Sequence, residues 1–299
     1  MVTRLLGSSP AGTATMMTSW LLVEAPGPWA ANALETTLDG VFDPEVLARA
    51  RSLGLRPLLI RRPGRHHRTA ADGRTVYVAS GRPENRWLER IRVADLGELR
   101  DLDLLAVARG AGGHGEPVDS SLFLVCTHGK KDMCCAVFGR PVADTLHKNH
   151  PDQTWEVSHV GGDVWAGNLL VVPSGFMHGQ LSPDEAALVA KAARLGQVLP
   201  DQLRGRSSAP SLWAQYAEIT LRKQLGLRGL DAVLTVAERD AEGAAEPGES
   251  RVVTVRCLDQ TYEVAVSRTR VDATARSRCA GRFTTSSFTT GTVRALTPA

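Results

Sequence analysis

Apolar residues come in short blocks along this chain, and the period of each block predicts the element it forms. Trp20–Glu24 (WLLVE) is a compact apolar run stopped by Pro26, Gly27 and Pro28, the mark of a buried strand. Leu58–Ile60 and Thr75–Val78 repeat that mark. Between the first two, Asp43 and Pro44 open a helix, because an aspartate caps free N–H groups and proline suits the first turn. Val46, Leu47, Ala50 and Leu53 supply its apolar face, and Gly54 ends it. The charged residues from Glu84 to Asp103 read as surface. Within them Leu96, Leu99 and Leu102 recur at helical spacing and predict a short amphipathic helix, weakened by Gly97.

Ala111–Gly115 (AGGHG) then reads as a flexible link between two α/β halves, residues 19–110 and 116–229. The halves open alike, each with a strand that ends in a glycine-bearing loop, which is consistent with two tandem α/β units. After Leu122–Cys126, helical spacing runs from Cys134 to Lys148 through Ala136, Val137, Val142 and Leu146, with Gly139–Pro141 predicted to interrupt it. Trp155–Ser158 and Asn168–Val172 read as strands, and Phe176–Leu181 as the hairpin partner of the second. Ser182–Glu185 combines a cap, a first-turn proline and a capping-box glutamate, so a helix runs from there toward Gly196. Another spans Leu212 to Leu225 and stops at Gly226. From residue 230 the pattern changes. Ala232–Val236, Val252–Val255 and Tyr262–Val266 read as a small antiparallel β segment around a polar loop at 241–250. Residues 1–18 and the Ser/Thr-rich last twenty read as loosely ordered. The strand–helix alternation predicts an α/β fold with a small C-terminal β segment.

Composition narrows the function. The chain has 299 residues, 43% apolar and 22% charged, with a net charge of +3 and a pI near 8.7. That balance is ordinary for a soluble protein, and the charge is too weak and dispersed to argue for nucleic acid or an anionic membrane. The apolar runs fall far short of the ~20 residues that span a bilayer. The N-terminus lacks the ~7–15-residue apolar block of a secretory signal, so the cytoplasm is the expected compartment. The basic cluster Arg61, Arg62, Arg65, His66, His67 and Arg68 reads as a solvated loop or as an anion or partner docking site.

The candidate chemistry lies in the cysteines. There are five, and Cys126, Cys134 and Cys135 fall close together while Cys257 and Cys279 stand apart. An odd, clustered set is not a disulfide framework. Cys126 closes one predicted strand and a polar loop leads to Cys134 and Cys135. His159, Gly161, Gly162 and Asp163 follow another. Two such loops can meet at one edge of a sheet. Iron–sulfur clusters are held mainly by thiolates, with histidine able to replace cysteine on one iron, and zinc uses the same donors. The spacing is neither a zinc knuckle nor that of bacterial ferredoxins, and no CxxC pair is present. Spacing alone leaves a metal or cluster site, a reactive thiol and inert core cysteines all open. His128 could tune a centre or simply bond to backbone. Lys130 and Lys131 could dock an acidic electron donor or be solvated charge. Gly161 and Gly162 are expected to let backbone approach the sulfurs, and Asn168 reads as structural packing or as a support for their loop. Trp155, Trp165 and Cys257 read as core, and Cys279 has no assigned role.

The segments CTHGKKDMCC and SHVGGDVWAGNLLVVPSG resemble the sucrase/ferredoxin-like family of thioredoxin-like [2Fe–2S] proteins. WLLVEAPGPWAANAL and LLIRRPG resemble its N-terminal half, and AEITLRKQLGLRGLDA its later helix, so the resemblance covers roughly residues 10–235. VVPSGFMHGQLSPDEAALVAKA is similar to the terminal hairpin and helix of thioredoxin-like ferredoxins. The resemblance implies a thioredoxin-like fold and a [2Fe–2S] cluster held by two cysteines and the two histidines of an HxGGH pattern. Here it maps onto Cys126, Cys135 and His159. The second histidine position is Asp163, a departure. Asp163 is then an oxygen ligand or an acceptor that orients His159; in the latter case Cys134 or His128 is the fourth candidate, and loss of the cluster is the remaining alternative.

The implied function is one-electron transfer to an unidentified redox protein or small molecule. A histidine ligand makes such a couple sensitive to pH, and a carboxylate in place of an imidazole lowers its potential. The alternatives are a reductase of a small oxidised substrate and a structural zinc protein. Sucrose hydrolysis is disfavoured, because it needs an opposed carboxylate pair and aromatics make up only 5% of the chain.

Overall fold

The computed structural model describes residues 7–37, 43–64, 73–241, 249–273 and 283–296. The strands that carry the first half are β1 (Ser19–Glu24), β2 (Arg56–Arg61), β3 (Arg74–Arg82) and β4 (Asn85–Val93). Helix α1 (Pro44–Ser52) crosses from β1 to β2, capped by Asp43, whose carboxylate accepts from the Glu45 N–H at 2.8 Å. β2 is parallel to β1, β3 is antiparallel to β1, and β4 is antiparallel to β3. A short 3₁₀ turn (Leu96–Arg100) and helix α2 (Leu104–Ala108) follow.

The second half repeats this order. β6 (Leu122–Cys126), helix α3 (Met133–Asn149) and β7 (Thr154–Val157) form a parallel crossover. β8 (Leu169–Val172) lies antiparallel to β6, β9 (Phe176–His178) antiparallel to β8, and helix α4 (Pro183–Arg194) closes the unit. The halves share one sheet, because β2 pairs antiparallel with β7. With β5 (Glu116–Pro117) on β4 and β10 (Leu203–Arg206) on β9, ten described strands run in the order β10-β9-β8-β6-β7-β2-β1-β3-β4-β5. The glycine-bearing link at 111–115 is tethered: the Glu89 carboxylate accepts from the N–H groups of Gly113, His114 and Gly115 at 2.7, 2.7 and 3.0 Å.

Helix α5 (Leu212–Leu225) leads to a separate four-stranded antiparallel sheet, β11 (Val233–Asp240), β12 (Ser250–Cys257), β13 (Gln260–Ala273) and β14 (Phe283–Leu296). Apolar residues of α5 and of this sheet share one core, which includes Cys257 at 4% exposure. A buried ion network ties α5 back to β10: Glu218 accepts from Arg206 at 2.8 Å and from Arg222 at 2.9 Å.

The architecture is thus mixed α/β, a large sheet with helices and a small separate sheet, as the alternation predicts. Several local expectations change. The described residues before β1, read as loose, are held, since the Gly12 and Thr13 N–H groups donate to the Arg204 carbonyl at 2.8 and 3.1 Å. Residues 85–93, read as charged surface, form β4, whose Leu88, Glu89 and Val93 are buried while neighbours face outward. The Ser/Thr-rich tail supplies β14, because pairing with β13 satisfies its backbone. Gly139–Pro141 does not interrupt α3, which runs through Pro141. Gly139 is there for another reason. A Cβ on it would lie 2.1 Å from the Cys126 carbonyl oxygen, so the helix rests directly on the end of β6. Alanine at 139 must push α3 away from Cys126. Gly139→Ala is expected to cost about 2 kcal/mol by overpacking, measured by denaturant unfolding.

His178, on β9, is fully buried and its imidazole is held down to about 4 by that burial, against an ordinary 6.5. The folded state therefore refuses a proton that the unfolded state accepts between those values. Stability is full above pH 6.5 and falls as pH drops toward 4. The loss from this residue is about 3 kcal/mol. In His178→Gln the slope of unfolding free energy against pH flattens over that window.

Candidate metal centre

β6 and β7 are adjacent and parallel, with Cys126 opposite Val157, so both chains leave the sheet at the same edge. Loops at the carboxyl ends of parallel strands are where open α/β sheets place ligands. From this edge Cys126 is the last residue of β6, Cys135 lies in the first turn of α3, and His159 lies two residues beyond β7. Asp132 caps α3, accepting from the Cys134 N–H at 2.7 Å, and so fixes the first turn. The helix N-terminus favours negative charge on a thiolate there.

The donor atoms of Cys126, Cys135 and His159 all lie within 4.8 Å of one another. Cys135 Sγ is 3.9 Å from His159 Nδ1. The cysteines are 1% and 0% exposed, and the imidazole 21%. The two sulfurs act as a pair. Cys126 is held well below the ordinary thiol range, first by the hydrogen bond from Cys135 and also by His159, against the opposing effect of burial. Cys135 is pushed up by the same contact and by its own burial.

Asp163 stands on the other side of the ring, its Oδ1 3.9 Å from His159 Nε2, and is not part of the three-residue group. Cys134 and His128 are not part of it either. Cys134 is half-buried. His128 is 3% exposed, its Nε2 2.8 Å from the Ala30 carbonyl and its ring edge-on to Trp29. Its Nδ1 is buried with no hydrogen-bond partner.

The loop that carries His159 is braced from several sides. The Ser158 hydroxyl accepts from the Leu59 N–H at 3.0 Å, and the Thr15 hydroxyl donates to the Val160 carbonyl at 2.8 Å. The Asn168 amide donates to the Gly162 carbonyl at 2.8 Å, the support its position suggests. Gly161 and Gly162 both adopt left-handed φ, +89° and +70°. A Cβ on Gly162 would meet the Arg204 guanidinium at 2.3 Å, and one on Gly161 the Thr15 hydroxyl at 2.5 Å. The glycines admit these two braces, where the sequence suggested an approach to sulfur.

Arg204, on β10, is the residue that reading the sequence missed. It is 1% exposed, and it donates to the Gly161 carbonyl and Asn168 Oδ1 at 2.9 Å each, to the Thr13 carbonyl at 2.5 Å and to the Thr13 hydroxyl at 3.2 Å. Burial pulls it down to about 10, and Cys126, Asp163 and Cys135 oppose that pull. It stays charged at neutral pH, and the groups that oppose the pull belong to this site. Nothing in the local pattern of LRGR marks it, because its partners are remote in sequence.

The remaining candidates have ordinary surroundings. Arg61 pairs with Glu156 at 2.6 Å and stacks over Trp29, and Arg62 lies over Trp155. Arg65, His66, His67, Arg68 and Cys279 lie outside the described residues. Trp155 and Trp165 are core. Among the described residues no helix is long and apolar enough to cross a membrane.

The chain is similar to the proteins named altered inheritance of mitochondria protein 32 of Meyerozyma guilliermondii and Debaryomyces hansenii, 27% identical to each over 101 residues. That alignment covers 30% of this chain and 36% and 37% of those proteins, so the chain spans about a third of the length of the curated relatives it matches. No solved structure matches it significantly. The sucrase/ferredoxin-like family profile matches residues 10–205, a stretch that contains both strand edges, the thiols, the imidazole and Arg204, and the protein therefore belongs to the sucrase/ferredoxin-like family.

Proposed function

We propose that this protein holds a [2Fe–2S] cluster through Cys126, Cys135 and His159 and passes single electrons to a redox partner. The observation that carries this reading is the meeting of two buried thiols and one imidazole edge across two loops. Soft sulfur donors with a nitrogen donor suit an iron–sulfur centre. Such a cluster, when bound, supplies one-electron redox chemistry. The protein's own contribution is to hold the donors, exclude water from the sulfurs and leave the imidazole edge partly open. We assign Asp163 the task of orienting His159, because its carboxylate faces Nε2 while Nδ1 faces the sulfurs. We also read residues 19–110 and 116–229 as tandem thioredoxin-like units, since each runs strand, helix, parallel strand and antiparallel hairpin, with residues 230–299 as an appended β segment.

Iron, zinc and acid-labile sulfide analysis of anaerobically purified protein tests the reading. The expected result is iron and sulfide in equal amounts with visible charge-transfer absorption. Colourless zinc protein would replace it with a structural zinc site. In Asp163→Asn, iron is expected to persist with a raised midpoint potential, since negative charge is lost beside the ligand. Loss of iron in that variant would instead make Asp163 a ligand.

A further inference from the structure

We propose that a cleft beside His159 binds a small anion bearing carboxylate or phosphate oxygens. The cleft has a volume of about 540 Å³ and forms where the segment around Ala31–Glu35, the start of β2 and the loop after β6 meet. Ligand pockets commonly measure ~300–1,000 Å³. His159, whose Nδ1 lies 3.9 Å from Cys135 Sγ, is one of the residues of its wall, so a molecule seated there lies beside the candidate centre.

The charge of the wall selects the ligand. Arg51, Arg56 and Lys131 line the cleft, against the single carboxylate of Glu35. Glu35 is already taken, since Arg51 holds it at 2.8 Å. Arg56 has neither an ion-pair nor a hydrogen-bond partner among the described residues, and its Nε is buried. A half-buried guanidinium normally answers such burial with a partner. Here the charge that acts on it is that of another cation, Arg51. An oxyanion in the cleft supplies the missing acceptor, and the planar fork of arginine fits carboxylate and phosphate oxygens in pairs. Leu55 and Leu58 give the cleft an apolar side, which favours a small organic anion over a hydrated inorganic ion. A metal cation is disfavoured by the same charges.

The binding claim stands apart from the redox reading. Only the consequence, that the bound anion sits where an electron would leave through His159, rests on it. Isothermal titration of the purified protein at low ionic strength tests the binding, with tricarballylate as the carboxylate probe and 3-phosphoglycerate as the phosphate probe. Tricarballylate lacks the hydroxyl through which citrate chelates iron. The expected result is saturable one-to-one binding of at least one probe, weakened about tenfold or more in Arg56→Gln. Lys131→Gln, at an exposed position, should weaken it by a smaller factor. Arg90→Gln, whose arginine pairs with Glu116 outside the cleft, should leave it unchanged. Absence of saturable binding with both probes overturns the proposal. So does an affinity that neither Arg56→Gln nor Lys131→Gln changes. Iron and sulfide measured on the same samples keep the two readings apart: iron with no anion binding refutes the cleft alone, and anion binding without iron refutes the centre alone.

Discussion

Cys126→Ser will purify without iron. The substitution keeps the size and shape of the side chain, so the surrounding core of Leu124, Val157 and Cys135 loses little packing. The expected cost in stability is about 1–2 kcal/mol, from placing a hydroxyl in an apolar setting. The effect on the centre is far larger. Cys126 is the one donor fixed by a central strand, flanked by β7 and β8, and the hydrogen bond from Cys135 holds its thiol well below the ordinary range. A serine oxygen is harder and far less acidic, and so cannot replace a thiolate on iron. Cys135→Ser should behave the same way, because that thiol lies within the same three-residue group. Cys257→Ser is the control: that cysteine sits in the core of the C-terminal sheet, and its iron content should match the parent. Iron retained in Cys126→Ser and Cys135→Ser would remove both residues from the ligand set.

Arg204→Met will destabilise the fold and release the His159 loop. The guanidinium bridges β10, the residues before β1 and the loop after β7, through Thr13, Gly161 and Asn168. Methionine fills much of the volume but leaves the buried Asn168 Oδ1 and the part-buried Thr13 and Gly161 acceptors without this donor. Each unpaired acceptor costs about 1–3 kcal/mol, so a loss of about 4 kcal/mol is expected, seen as a melting temperature lower by roughly 5 °C or more. Arg204→Lys keeps the charge but cannot reproduce the fork, and should fall between parent and Arg204→Met. Iron content should decline in the same order, because His159 is held through this loop. Unfolding monitored by circular dichroism, alongside iron analysis, reads both effects. Equal stability of all three proteins would refute the bracing role.

Much of this arrangement is legible in the chain. Local signals suffice where an element depends on its own residues: Asp43 and Pro44 for α1, the capping box at Ser182 and Glu185 for α4, the apolar run of β6. Cys126, Cys135 and His159 stand out for the same reason, since soft donors beside glycine-bearing loops at strand ends carry their chemistry in their identity. β4 and β14 were hidden because charged and Ser/Thr-rich strands look like surface until a neighbour takes their backbone hydrogen bonds. Gly139 reads as a helix breaker and acts as a contact surface, which depends on how closely α3 approaches β6. The residues before β1 read as loose, and bonds to Arg204 and Gln215 hold them.

Local patterning accounts for the strands and helices with strong signals and for the donor atoms available. Contacts across the fold account for the joining of both halves in one sheet, for Asp163 facing the far nitrogen of His159, for Arg204 bracing the His159 loop and for Arg56 lining the cleft beside it. The physical reason is that donor chemistry belongs to single side chains. Charge placement, bracing and unpaired groups belong to contacts between segments remote in sequence, which no local pattern encodes.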